Sequence, residues 1–415
     1  MVWDYSVSLQ PSGNSLRVEA SFEDDTSRRL SLQTGAENFV LKPEILMDNV
    51  WKPLLRRGDF WFLPEEGPYR IRYDFQVKKA VESLDDWRFA ASAGRVMIAQ
   101  PSVWMLRPLS SELGDELEFA VETPIASRFV SGINQTDGVY RIDCRKLAFA
   151  PLSAFGPLEL RTVKFGEHEL QIALDPDQFV HSEEQMFDWV QSASEEVESY
   201  LDGFPVPHAL ILLVSSSRNQ GRTQGDGGAS IALRVDRDFS LSELREHWLL
   251  RHELLHLAHP SLPRHRWFEE GLAVYAELAL RVNHGHLSSD DFWKELQDRF
   301  PDGQRNRDYG LEETVRHDHI YWGGALYFFL ADLRIRQRTQ NRLTIHDAIR
   351  AWHHSGGNVS VSWSLKKTIE VGDRALGEPI LGELFEQIGK KAGKFNLHEL
   401  WFNLEDSSVK AWIAP

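Results

Sequence analysis

At 415 residues the chain exceeds the roughly 250–300 residues at which one hydrophobic core stops growing, so two or three domains are expected. A hydrophobic fraction of 42%, with 14 Trp, excludes a chain too polar to bury a core. Lys+Arg 46 against Asp+Glu 62 gives a formal charge of −16, which repels phosphate backbones and anionic lipid surfaces and argues against a nucleic-acid partner.

The chain opens as an alternating strand, MVWDYSVSLQ, without the basic start and apolar core of a signal peptide. A trimmed mature protein begins this way, so an exported or periplasmic location is expected over a cytoplasmic one. No run reaches the roughly 18–20 apolar residues that would span a membrane. Residues 1–172 carry repeated short alternating runs, among them SLRVEASF, YRIRYDFQV, RVMIAQPSVWML and LELRTVKF, which predict a β-rich N-terminal domain. The single cysteine, Cys144, rules out an internal disulfide and a Cys-rich zinc site; it is read as a small buried residue of the strand at 140–147.

At Ser182 the period changes. Met186, Trp189, Val190, Ala193, Val197 and Leu201 share one helical face. HALILLVSSS then predicts a strand buried on both faces, and ASIALRVD a further strand at the sheet edge, with a Gly-rich loop from Gly221 to Gly228 between them. A helix is predicted over 241–257, opened by a Ser240/Glu243 capping box. Further helices are expected at 267–282, 289–299, 322–338, 344–354 and 379–392. The fold class is α+β, with 173–415 taken as one catalytic unit of two lobes.

The chemistry lies in His252-Glu253-Leu254-Leu255-His256. Residues i and i+4 lie one above the other on a helix, about 6 Å apart, so both imidazoles can reach one ion. Glu253 stands beside that face, placed to take a proton from an activated water. A Zn²⁺ site needs a third protein ligand, and Trp267-Phe268-Glu269-Glu270-Gly271 offers two carboxylates. Thirteen residues, 257 through 269, lie between His256 and Glu270. The apolar flanks Leu249, Leu250, Leu254, Leu255 and Leu257 make the polar triplet costly to bury unless it binds something.

HELLH followed by WFEEGLA resembles the gluzincin pattern HExxH then W-x-x-E-G-x-A. The stretch Tyr321-Trp322-Gly323-Gly324, continuing through Leu330, Asp332, Ile335 and Arg336, resembles the Y-x-K-G…L-D-x-x-I-R stretch of the glycyl aminopeptidase family, as do GFPVPHALILLV and the β-rich N-terminal half. This resemblance implies a thermolysin-like catalytic unit with a mixed sheet, and a zinc metallopeptidase acting on a peptide or protein substrate. It makes Glu270 the third ligand, with Glu269 the lesser choice, and Tyr321 the oxyanion donor, with His319 as the alternative. No PDZ domain is expected.

The sequence departs from the pattern in two ways that bear on specificity. Gly323 stands where the family has Lys, and Gly227-Gly228-Ala229-Ser230-Ile231-Ala232 lacks the carboxylate that related aminopeptidases use to hold a substrate amine. Asp226, Glu269 and Asp318 are the candidates to replace it. Glu277 and Glu246 are candidates to orient the ligating imidazoles. The pair His353-His354 and the run 317–319 are read as surface or core residues. The competing reading is a catalytically silent zinc protein that captures peptides along its edge strand; exo- and endo-cleavage both stay open.

Overall fold

A computed structural model describes residues 2–23, 27–111, 114–305 and 308–405. The fold is α+β, a β-rich N-terminal region followed by a helical C-terminal part. Two compact units emerge, one of Met1–Lys164, Glu169–Glu183 and His208–Asp238, the other of Phe165–His168, Glu184–Pro207 and Phe239–Pro415. Among the described residues, no helix is long and apolar enough to cross a membrane.

The first unit holds an eight-stranded sheet with Val2–Leu9 and Leu16–Phe22 near its centre. Their pairing follows from the alternation: Leu16, Val18, Ala20 and Phe22 all point into the core while Arg17, Glu19 and Ser21 are half-buried. Buried aromatics fill that core, and the hydroxyls of Tyr5 and Tyr73 donate to the carbonyls of Leu106 and Trp104, each at 2.7 Å. The helix Val77–Leu84 was not foreseen among these strands. Cys144 is buried, in a 3₁₀ turn at the end of the strand Val139–Asp143.

A five-stranded mixed sheet completes this unit. His208–Ser215 runs parallel to both His168–Leu174 and Ser230–Val235, and this central place is why its apolar run is unbroken. The expectation for 229–236 is corrected in position. Ser230–Val235 is covered on its outer side by Gln220–Gln224, so the edge strand is built from part of the segment read as a Gly-rich loop. Its polar sequence, QGRTQ, suits an edge. The two glycines that follow serve packing. A Cβ on Gly228 (φ 154°) would lie 2.0 Å from the carbonyl oxygen of Gly132, which accepts the Ala229 N–H at 3.0 Å.

The second unit is helical. Glu183–Leu201 appears as read, and the Ser240/Glu243 capping box is present. The helix predicted over 241–257 is instead two: Leu241–Glu246 and Leu249–Leu255, ending in a 3₁₀ turn at His256–Ala258. The break falls at His247, whose backbone is extended (ψ 131°) and whose Nδ1 accepts the Leu249 N–H at 3.3 Å, capping the second piece. Helices follow at Arg266–Asn283, Ser289–Gln304, Gly324–Thr339 and Ile345–His354. The 379–392 expectation becomes Ile380–Leu384 running into a π-turn, Phe385–Gly389. A further helix, Leu365–Leu376, went unread although it has a Ser364 cap and a left-handed Gly377 at its end.

Candidate metal centre

The Leu249–Leu255 helix is fixed in place by the one residue in it that sequence reasoning passed over. Arg251, 2% exposed, donates to Glu196 through Nε at 2.7 Å and Nη2 at 3.1 Å, and to the Arg245 carbonyl through Nη1 at 2.7 Å. His286 meets the same carboxylate at 2.8 Å. A buried guanidinium needs such a fork, and this one ties the helix to Glu183–Leu201. The sequence signal was a charged residue inside LLRHELL.

Arg266–Asn283 brings Glu270 to the same place by a close crossing. A Cβ on Gly271 would lie 2.3 Å from the carbonyl carbon of Gly324, and one on Gly324 would lie 2.0 Å from the Trp267 carbonyl oxygen. Helix backbones can meet this closely only through glycine. Gly324→Ala is therefore expected to destabilise the protein by about 1–3 kcal/mol, read as a lower urea midpoint at unchanged m-value. Trp267 is held by donating its indole N–H to Glu312 at 2.7 Å, a carboxylate shared with His265 at 2.9 Å.

These constraints bring His252, His256 and Glu270 together. The two Nε2 atoms are 3.2 Å apart, and Glu270 Oε2 lies 3.3 Å from that of His252 and 3.4 Å from that of His256. A regular tetrahedron with bonds of about 2.0–2.1 Å, the zinc range for N and O ligands, has edges of about 3.3–3.4 Å, so the donor atoms occupy three corners of such a site. The donor set demands positive charge at its centre. Burial opposes a charge on His256, yet the Glu270 carboxylate, aided by Glu253 and Glu269, pushes it up to about 9. Burial would raise Glu270, but its hydrogen bonds to His252 and His256 outweigh that and hold its carboxyl far below the usual range. Arg266 donates to the other Glu270 oxygen at 3.3 Å, leaving Oε2 to the imidazoles.

Glu253 is 6% exposed, and its charge reaches both His256 and Tyr321. Tyr321 lies in a π-turn, His319–Gly323, ahead of Gly324–Thr339. Its ring stacks on His252 at 6.2 Å and, on its other partner, on exposed His317 at 4.2 Å. Burial first, then the Glu270 carboxylate, raises the Tyr321 hydroxyl well above its ordinary value, so the phenol keeps its proton.

Several candidates are placed elsewhere. Glu269 is turned away from the triad, accepting the Leu262 N–H at 2.7 Å, with its carboxyl raised by burial. His319 is fully buried and bonded at Nε2 to the Arg305 carbonyl at 2.8 Å, so it braces the π-turn. Glu246 accepts from Ser242 on the surface. Glu277 faces Arg281 at 3.6 Å, and burial pushes it up to about 8. Among the described residues, neither is hydrogen-bonded to His252 or His256. Asp226 pairs with Lys146 at 3.2 Å, and exposed Asp318 lies 3.7 Å from His317. Gly323 is closely packed: a Cβ there would lie 2.9 Å from Leu311 Cδ2 and 3.0 Å from the Gly303 carbonyl oxygen. Of the residues that resemble the glycyl aminopeptidase stretch, Asp332 is a buried hub accepting from Tyr275, Ile345 and Arg336.

No family model matches the sequence, and no curated protein matches it. The fold, by contrast, has many solved counterparts. An aminopeptidase N family protein from Idiomarina loihiensis superposes with a TM-score of 0.74 at 14% identity, over 97% of this chain and 78% of that one. An M1 zinc metallopeptidase from Deinococcus radiodurans gives 0.57 at 14% identity, over 94% and 93% of the two chains. A variant of that enzyme with Tyr-Ser-Ala bound as substrate gives 0.57 at 13% identity, over 95% and 94%. The chain has the fold of the M1 zinc metallopeptidases.

One contact in this M1-like fold has no counterpart among the expectations. His259, three residues beyond His256, lies 3.1 Å from His256 Nδ1 through its Nε2. It is 2% exposed, and burial pushes it down to about 3. Its signal in the sequence was a third histidine at helical spacing, HELLHLAH.

Proposed function

We propose that the chain is a zinc-dependent metallopeptidase, with His252, His256 and Glu270 holding the ion, Glu253 as general base and acid, and Tyr321 as oxyanion donor. The observation that carries this reading is the triangle of three ligand atoms with edges of 3.2–3.4 Å. The shared fold supports it, and the peptide seen on the Deinococcus radiodurans enzyme supports a peptide substrate.

Bound Zn²⁺ would supply a Lewis acid and lower the pKa of a water toward neutrality. Glu253 accepts the proton of the attacking water and returns it to the departing amine. Tyr321 donates its hydroxyl to the oxygen that gains negative charge as the carbonyl is attacked. Arg266 keeps one Glu270 oxygen occupied, which presents the other to the two imidazoles.

The resemblance to glycyl aminopeptidases extends this reading to aminopeptidase-like cleavage. Of the carboxylates considered for holding a substrate amine, Glu269 and Asp226 already have partners, so cleavage within a chain is expected beside cleavage at its amino end. A mixed peptide library, half of it N-acetylated, tests this by mass spectrometry with and without a chelator. Hydrolysis that stops with chelator and returns with zinc is the expected result. No cleavage of any peptide by zinc-loaded protein overturns the peptidase reading.

A further inference from the structure

We infer that His259 is a positioning residue that decides which nitrogen of His256 faces the metal, an inference that rests on the zinc reading above. His259 Nδ1 lies 2.9 Å from the Pro260 carbonyl oxygen. A carbonyl only accepts, so this nitrogen carries the proton, and in a neutral imidazole Nε2 is then the acceptor. That Nε2 lies 3.1 Å from His256 Nδ1. With the ion bound, His256 therefore donates from Nδ1 and presents the lone pair of Nε2, the atom that lies 3.2 Å from His252 Nε2 and 3.4 Å from Glu270 Oε2. The relay has one direction, and its end is a nitrogen ready to bind a cation.

The backbone around the relay is pinned on both sides. Val359 donates to the Leu257 carbonyl at 3.3 Å, Ser261 to Val361 at 2.9 Å, Trp363 to Ser261 at 3.2 Å, and Leu262 to Glu269 Oε1 at 2.7 Å. Among the described residues His252 has no matching support, since its buried Nδ1 lacks a hydrogen-bond partner there. His256 is thus the arm whose tautomer the fold sets. An imidazole does this without adding a second negative charge next to Glu270, as a carboxylate in its place would.

The test uses the full chain, loaded with zinc and labelled with ¹⁵N-histidine. A scalar coupling across the hydrogen bond between His256 Nδ1 and His259 Nε2 is expected in the wild type. Its absence with zinc bound overturns the inference. Zinc affinity, measured by competition with a chelator, is expected to weaken about 10–100-fold in His259→Ala and to recover largely in His259→Gln, whose side-chain carbonyl can accept the same N–H. Folded His259→Ala that binds zinc as tightly as wild type also overturns it. Should that variant not fold, the wild-type coupling decides. A wild-type chain that takes up no zinc removes the metallopeptidase reading and this inference with it, an outcome distinct from the other two.

Discussion

Glu253→Gln is expected to lower peptide hydrolysis by about 10²–10⁴-fold while the protein binds zinc as the wild type does. Glu253 follows His252 on the helix and is 6% exposed, and its charge acts on His256 and Tyr321, so it shares the site without being one of the three ligand atoms. Glutamine matches its size and keeps a carbonyl oxygen there, but it cannot take a proton from water at neutral pH. The loss should fall on kcat, because the base acts in the transition state rather than in holding substrate. Turnover of a chelator-sensitive peptide, measured beside metal content on the same samples, checks it. Wild-type turnover at equal zinc would remove Glu253 from the mechanism.

Tyr321→Phe is expected to lose about 10²–10³-fold in kcat, on the order of 2.7–4 kcal/mol for one oxyanion donor, with KM nearly unchanged. The substitution isolates the hydroxyl, since a phenyl ring preserves stacking on His252 and His317. His319 has its Nε2 committed to the Arg305 carbonyl. The raised Tyr321 hydroxyl also implies that its ionisation sets no alkaline limit on activity near neutral pH. Equal losses in kcat and in zinc content would instead place Tyr321 among the supports of the metal site.

Much of the site was legible because its signals are local. HExxH states a helical spacing, and the capping box and apolar flanks mark a helix start in the sequence itself. The break at His247 was not legible, because a histidine that caps the next helix reads like any other helical residue until Leu249 is seen to bond its Nδ1. Partners distant in sequence were equally hidden: Arg251 with Glu196, Trp267 with Glu312 and His319 with Arg305 are known only once the chain folds. The choice between Glu269 and Glu270 needed a family pattern, since adjacent carboxylates look alike until one is seen bonded to Leu262 N–H.

The sheet shows the same division. The unbroken apolar run of HALILLVSSS announced a central strand, and His208–Ser215 is one. Its neighbours could not be ordered from composition. Gln220–Gln224 is too polar to announce itself as a strand, so Ser230–Val235 was given the edge it does not have. Likewise Gly323, read as a lost charge, marks a close approach of Leu311 and Gly303.

The central claim is that His252, His256 and Glu270 hold one zinc ion, and the most direct measurement is metal content by plasma mass spectrometry after chelator-free purification. About one zinc per wild-type chain is predicted, with almost none in His256→Ala and in Glu270→Ala, both of which should remain folded by circular dichroism. A wild-type chain without zinc, or folded variants that keep it, would contradict the account.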